Sequence, residues 1–210
     1  MPHDHLIIFT RYPEPGRTKT RLIPVLGRDG AARLQRQLTE RLLARLTAAG
    51  DGGPGITIRY TGASSGQMAQ WLGSGVTCRP QEEGDLGRRM LAALTSARTE
   101  GGGRILLAGS DCPDLGPGLI RAAYELLRSN DLVIGPSEDG GYYLIGMAAD
   151  ITPAALAPLF TDMAWGTATV LAETMARARL LGLRCGLLPT LHDIDRPEDL
   201  AHLHHHPGPE

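Results

Sequence analysis

Seven short strand-like runs, most of them separated by a stretch with helical periodicity, constrain this chain more than any other feature of its sequence. They are "LIIF" (6–9), "ITIRY" (56–60), "GVTCRP" (75–80), "RILLAG" (104–109), "DLVIGP" (131–136), "YYLIGM" (142–147) and "RCGLL" (184–188). Runs such as "LIIF" are apolar without alternation, as strands buried on both faces are. After the first run, Leu34, Leu38, Leu42 and Leu46 fall four apart, the stripe of an amphipathic helix that the "GDGGPG" cluster (50–55) stops. Helices are also expected up to about Leu72, along Leu86, Met90 and Leu94, over "LIRAAYELLRS" (119–129), and from about Thr167 to Leu181. Strands alternating with helices predict a single three-layer α/β/α domain over residues 1–200, with a mostly parallel mixed sheet. Residues 201–210, rich in histidine, read as a flexible tail.

Composition narrows the function. A chain of 210 residues is long enough for one domain and short for two. A net charge of −2 argues against a broad nucleic-acid or anionic-membrane surface, so any basic patch must be local. The cysteines Cys78, Cys112 and Cys185, an odd number without close spacing, make neither a disulfide framework nor a zinc site. No signal-like segment opens the chain, and no run approaches the roughly 18 apolar residues of a membrane span. The expectation is a cytoplasmic protein with small-molecule partners.

In parallel α/β sheets ligands bind beyond the carboxyl ends of the strands. Three unusual segments follow strand ends here. The first, "RYPEPGRTKTRL" (11–22), carries four cations. Gly16 permits unusual backbone angles, and Lys19 and Arg21 are good phosphate partners, whereas Arg11 and Arg17 read as solvated. Pro13 and Thr18 stand where a P-loop requires glycine, so this is not one. The second, "GSDCPDL" (109–115), offers Asp111, a strand-end carboxylate able to hold Mg²⁺, beside Asp114, which reads as readily as a turn or helix cap. The third, "SEDGG" (137–141), is at least a β-turn, with Glu138 and Asp139 entering Gly140 and Gly141, which would let a ligand approach the backbone. Near the end of the chain, "HDIDRPEDL" (192–200) has Asp193 and Asp195 two apart, so that on a strand they would share a face. Cys112 has no activating base near it in sequence, and Trp165 reads as packing.

Together "KTRLIPVLG", "EEGDLGRRM", "GSDCPDL", "EDGGYYLIG" and "HDIDRPEDL" resemble the DUF2064 branch of the GT-A nucleotide-diphospho-sugar transferase superfamily, similar to the 2-phospholactate guanylyltransferases. The resemblance runs from about Leu6 to Leu200. It implies a Rossmann-like GT-A fold and a phosphate loop of Gly16, Lys19, Thr20 and Arg21. It also implies nucleotide contacts at Gly84, Asp85 and Arg88, and acceptor contacts at Glu138, Asp139, Gly140 and Gly141. Asp111 stands where the superfamily holds a divalent metal, Mg²⁺ or Mn²⁺, with Asp195 matching the second ligand and Asp193 competing for that place. The implied activity is nucleotidyl transfer from a nucleoside triphosphate to a small phosphorylated or carboxylated acceptor, with Lys19, Arg21 and Asp111 as catalytic groups. Glycosyl transfer from a nucleotide sugar and nucleotide binding without turnover are the alternatives. A homodimer would be an expectation from the fold class alone.

Overall fold

The computed structural model describes residues 3–48 and 53–205. Residues 50–52 of the predicted helix stop and residues 206–210 of the predicted tail lie outside the described residues. The strands are β1 (His3–Arg11), β2 (Gly55–Thr61), β3 (Thr77–Pro80), β4 (Gly102–Gly109), β5 (Leu132–Pro136), β6 (Tyr142–Met147) and β7 (Cys185–Leu187). They form one sheet in the order β3-β2-β1-β4-β6-β5-β7. All pairings are parallel except those of β6, which runs antiparallel to both β4 and β5. The mixed, mostly parallel sheet expected from the sequence is therefore present. The short "SEDGG" link forces the reversal, since a parallel return needs a crossover of a dozen residues or more.

Alternate residues of each strand feed opposite layers. Leu6 and Ile8 pack with Ile58, Leu106 and Val133 beneath α1 (Ile23–Thr47), α2 (Ser65–Leu72) and α4 (Pro117–Leu126). Ile7, Ile105, Leu107 and Ile145 face α3 (Leu86–Thr99), α5 (Pro153–Phe160) and α6 (Val170–Leu180). Both faces are covered, which is why the strands read as continuous apolar runs. Leu34, Leu38 and Leu42 are buried as the stripe predicts. The helix begins earlier than its stripe, because Gly27, at φ 68°, joins a first turn to the rest across a kink.

Helix α5 has no counterpart in the sequence reading. It is eight residues long, with Pro153 in its first turn and Pro158 inside. Thr152 caps it by accepting from the Ala155 N–H. The described residues end on a 3-10 helix, Pro197–His205, that passes the expected boundary at Leu200. Its Leu200 and Leu203 pack on a satellite cluster of Leu22, Ala31, Leu34, Leu38 and Ile194. No helix among the described residues is long and apolar enough to cross a membrane.

Candidate active site

From β1 the chain steps outward to β2 and β3, then crosses back to β4 on the other side of β1. The gap between the carboxyl ends of β1 and β4 is thus the topological switch point of the sheet. A cleft of about 420 Å³ opens there, within the usual range for small-molecule sites. Phe9, Thr10, Leu107, Ser110 and Asp111 reach it from β1 and β4, Asp139 and Gly141 from the β5–β6 turn, and Asp193 from the returning C-terminal segment.

Neutral polar groups form the floor. Gln35 of α1 donates to the Ser110 hydroxyl at 3.1 Å and to the Thr10 hydroxyl at 3.3 Å, and Thr10 meets Thr39 at 2.9 Å. All four are buried, and their mutual bonding makes that burial tolerable. The carboxylates lie around this floor. Ser137 and the Gly141 N–H both donate to Asp139 Oδ1, at 2.5 and 2.9 Å, fixing it in an Asx turn. Burial, followed by the charges of Asp139 and Asp111, pushes the Asp193 carboxyl up to about 6.

Asp111 already holds a cation. Lys19 Nζ donates to its Oδ1 at 2.6 Å, from a side chain only 3% exposed. Lys19 itself sits in the left-handed region at φ 46°, ψ 44°, a conformation that costs a non-glycine residue on the order of 1 kcal/mol. The loop thus carries backbone strain in a form that delivers a buried ammonium to a cleft carboxylate. Among the described residues no three His, Cys, Asp or Glu side chains form a ready-made metal cage. The donor set still fits a hard cation: Mg²⁺ and Mn²⁺ need only one or two protein carboxylates when substrate phosphates complete the shell. The mutual repulsion registered at Asp193 is what such a charge would relieve.

The remaining candidates are placed as follows. Arg21 pairs with Asp195 at 2.6 Å, on the exposed side of the loop. Asp193 and Asp195 do not share a face, because the segment after Leu191 is not a strand. Ile194 is buried, its N–H donates to the Asp111 carbonyl at 3.0 Å, and Asp199 caps the Asp195 and Arg196 amides of the turn that follows. Asp193, not Asp195, therefore lines the cleft. Gly84 and Asp85 precede α3, where Asp85 is the N-cap, accepting from the Arg88 N–H at 2.8 Å, and Arg88 points outward. Gly16 lies against Arg28. Gly140, at φ 84°, leaves no room for a side chain because a Cβ would come within 2.3 Å of the Ala168 carbonyl oxygen. Its close approach is thus to the chain itself, and Gly141 is the glycine that faces the cleft. Thr20 starts a short 3-10 turn before α1, and Glu138 is exposed. Cys112 is buried, and burial with the charges of Asp111 and Asp193 pushes its thiol well up, which leaves a poor nucleophile.

Arg11, which the sequence presents as a solvated loop cation, lines the cleft, and so do Gln81 and Arg89, which were not singled out in the sequence. For Arg89 a signal existed. It is three residues after Leu86 and next to Met90, so it borders the apolar stripe of α3, whereas Arg88 does not.

A profile of a family described as uncharacterized proteins conserved in bacteria, DUF2064, matches residues 40–167. The chain belongs to the DUF2064 family. A presumed nucleotide-diphospho-sugar transferase from Desulfovibrio desulfuricans G20 is 35% identical to it, with 97% of this chain and 87% of that one covered and a TM-score of 0.88. The same fold at lower identity occurs in a manganese complex of a Mycobacterium tuberculosis H37Rv protein (16% identity, 95% and 97% covered, TM-score 0.56). It occurs also in the inositol-1-phosphate CTP transferase of T. maritima (13% identity, 95% and 92% covered, TM-score 0.58). No curated protein matches this DUF2064 chain.

Proposed function

We propose that this DUF2064 protein is a divalent-cation-dependent transferase acting on a nucleotide. The reaction is nucleotidyl transfer from a nucleoside triphosphate to a small phosphorylated or carboxylated acceptor. One observation carries the reading: Asp111, Asp139 and Asp193 converge on a single cleft at the switch point, with the buried Lys19 ammonium set against Asp111. Nucleotidyl transfer asks for little covalent help. It needs the attacking oxygen held in line and the charge on the departing pyrophosphate neutralised.

Asp111 and Asp193 would hold the cation, Mg²⁺ or Mn²⁺, and when bound it would supply charge neutralisation at the phosphates. Lys19, beside Asp111, would meet a phosphate oxygen of the nucleotide. Phe9, Leu107, Met90 and Trp165 form apolar walls that limit water around the reacting groups. The T. maritima enzyme with this fold uses CTP, and the M. tuberculosis protein binds manganese, which supports both elements of the reading. Glycosyl transfer from a nucleotide sugar is the second reading, favoured by the description of the 35% identical D. desulfuricans relative.

The test is titration calorimetry against nucleoside triphosphates and nucleotide sugars, with and without Mg²⁺ or Mn²⁺, on the wild type and Asp111→Asn. Metal-dependent triphosphate binding that the variant loses, with pyrophosphate released on adding acceptors, is the expected result. Preference for a nucleotide sugar with nucleoside diphosphate release moves the assignment to glycosyl transfer. Binding without either product makes the protein a nucleotide-binding module, and indistinguishable variants overturn the site.

A further inference from the structure

The cleft is chemically divided. Its acids gather around Asp111, beside β4 and β6, while the cations lining it, Arg11 and Arg89, stand with Gln81 and Thr61 over the ends of β1, β2 and α3. We infer that Arg89, presented by Gln81 and assisted by Arg11, forms a second anion subsite. It takes a phosphate or carboxylate group of a substrate, separately from the Lys19–Asp111 end. The inference rests on the proposed function in assigning the cleft to a substrate with more than one anionic group.

Two observations support it. The first is rigidity. Arg89 Nη1 donates to Gln81 Oε1 at 2.9 Å and its Nε to the Asp85 carbonyl at 3.3 Å. Gln81 is itself tied twice to β2, its side-chain amide donating to the Arg59 carbonyl at 3.0 Å and its backbone N–H to the Tyr60 carbonyl at 2.8 Å. The guanidinium is therefore braced before any ligand arrives, which lowers the ordering cost of binding. Behind it, α3 is pressed so close to the end of α5 that a Cβ on Gly87 would lie 2.1 Å from the Phe160 carbonyl oxygen.

The second is unspent charge. Both acceptors of Arg89 are neutral, and the nearby Asp85 carboxylate is committed to the Arg88 amide. Among the described residues neither Arg89 nor Arg11 makes an ion pair, whereas Arg21, Arg36, Arg79, Arg104, Arg177 and Arg184 all do. A fixed guanidinium fork with free N–H groups facing a cleft is suited to planar carboxylate or phosphate oxygens. A ligand spanning the cleft would thus meet a cation-requiring end and an anion-requiring end, which sets its orientation.

The experiment uses inorganic pyrophosphate without metal, titrated calorimetrically at low salt into the wild type, Arg89→Gln, Arg89→Lys, Arg11→Gln and Asp111→Asn, with melting temperatures confirming that each is folded. The expected result is weakening of about tenfold or more in Arg89→Gln, the scale of losing hydrogen bonds to a charged group. Partial recovery in Arg89→Lys, a smaller loss in Arg11→Gln and retained binding in Asp111→Asn complete the pattern. Equal affinities of Arg89→Gln, Arg11→Gln and wild type, or no binding to the wild type at millimolar pyrophosphate, would overturn the subsite. Repetition with GTP and with 3-phosphoglycerate, each with Mn²⁺, identifies the source of the anion. A loss confined to GTP assigns the subsite to the nucleotide phosphates, and one confined to phosphoglycerate assigns it to the acceptor. The metal-free readout and the Asp111→Asn arm separate this outcome from failure of the nucleotide reading, which would appear as metal-independent behaviour at Asp111 alone.

Discussion

Asp193 concentrates the electrostatic problem of the site in one side chain. In the folded chain burial and the charges of Asp139 and Asp111 raise its carboxyl to about 6 from an ordinary value of 3.8. Between those values the folded state binds a proton that the unfolded state has released. Stability of the metal-free protein therefore falls as pH rises through that window, and the penalty is complete above pH 6. Asn at this position removes the charge. Solvent screening at a partly exposed group limits the effect to about 1 kcal/mol, so above pH 6.5 Asp193→Asn should melt about 2–4 °C higher than wild type. The two should converge near pH 4. Parallel melting-temperature curves from pH 4 to 7.5 would mean that the repulsion is absent. The sequence announced a pair of aspartates here but not which one faces the cleft. That is decided by Ile194, whose burial and bond to the Asp111 carbonyl depend on contacts across more than 80 positions of chain.

At the scale of elements, local patterns were legible where one stripe or one apolar run sufficed. The leucines of α1 and the continuous runs of β1 and β4 needed no knowledge of their neighbours. Helix α5 was illegible because two prolines in eight residues mask its period, and its cap and packing on α3 supply what propensity does not. The insertion of β6 between β4 and β5 was equally hidden, since sequence order gives no strand order. The α3–α5 contact yields a prediction that local propensity alone would get backwards. Alanine normally improves a helix over glycine by up to about 1 kcal/mol. At Gly118 in α4, where a Cβ would meet no other part of the fold within 4 Å beyond its own helix backbone and chain neighbours, Gly118→Ala should stabilise in urea denaturation. At Gly87 the new methyl would meet the Phe160 backbone and the Trp165 ring, 2.1 and 2.8 Å away. Gly87→Ala should therefore destabilise by about 1–3 kcal/mol. The same sign for both variants would show that α3 can move off α5 freely.

For the whole molecule, the decisive feature is that the chain closes on itself at the site. The C-terminal segment crosses from β7 back to the β1–α1 region, and Ile194 docks between Leu22, Ala31, Leu34 and Leu38, with Leu200 and Leu203 over them. This satellite cluster lies apart from the two layers that flank the sheet, yet it sets both Asp193 and the turn that follows Lys19. Truncating a fully buried Ile to Ala costs about 2–5 kcal/mol, and where it falls depends on how the cluster is coupled to the sheet. A small cluster with its own contacts should open locally rather than unfold the domain. Native-state hydrogen exchange on Ile194→Ala is expected to show faster exchange at the residue 194 amide, which donates to the Asp111 carbonyl. The Asp195 and Arg196 amides, bonded to Asp199, should follow it. The amides pairing β1 with β4 from Leu6 to Ile8 should keep their protection. Under the proposed function, the same variant should also lose metal-dependent nucleotide affinity while its sheet remains intact, because Asp193 leaves the cleft with the segment. Uniform loss of protection across β1, β4 and residues 194–196 would instead make the C-terminal segment part of the global folding unit, and the separation of site from scaffold argued from the clusters would fail.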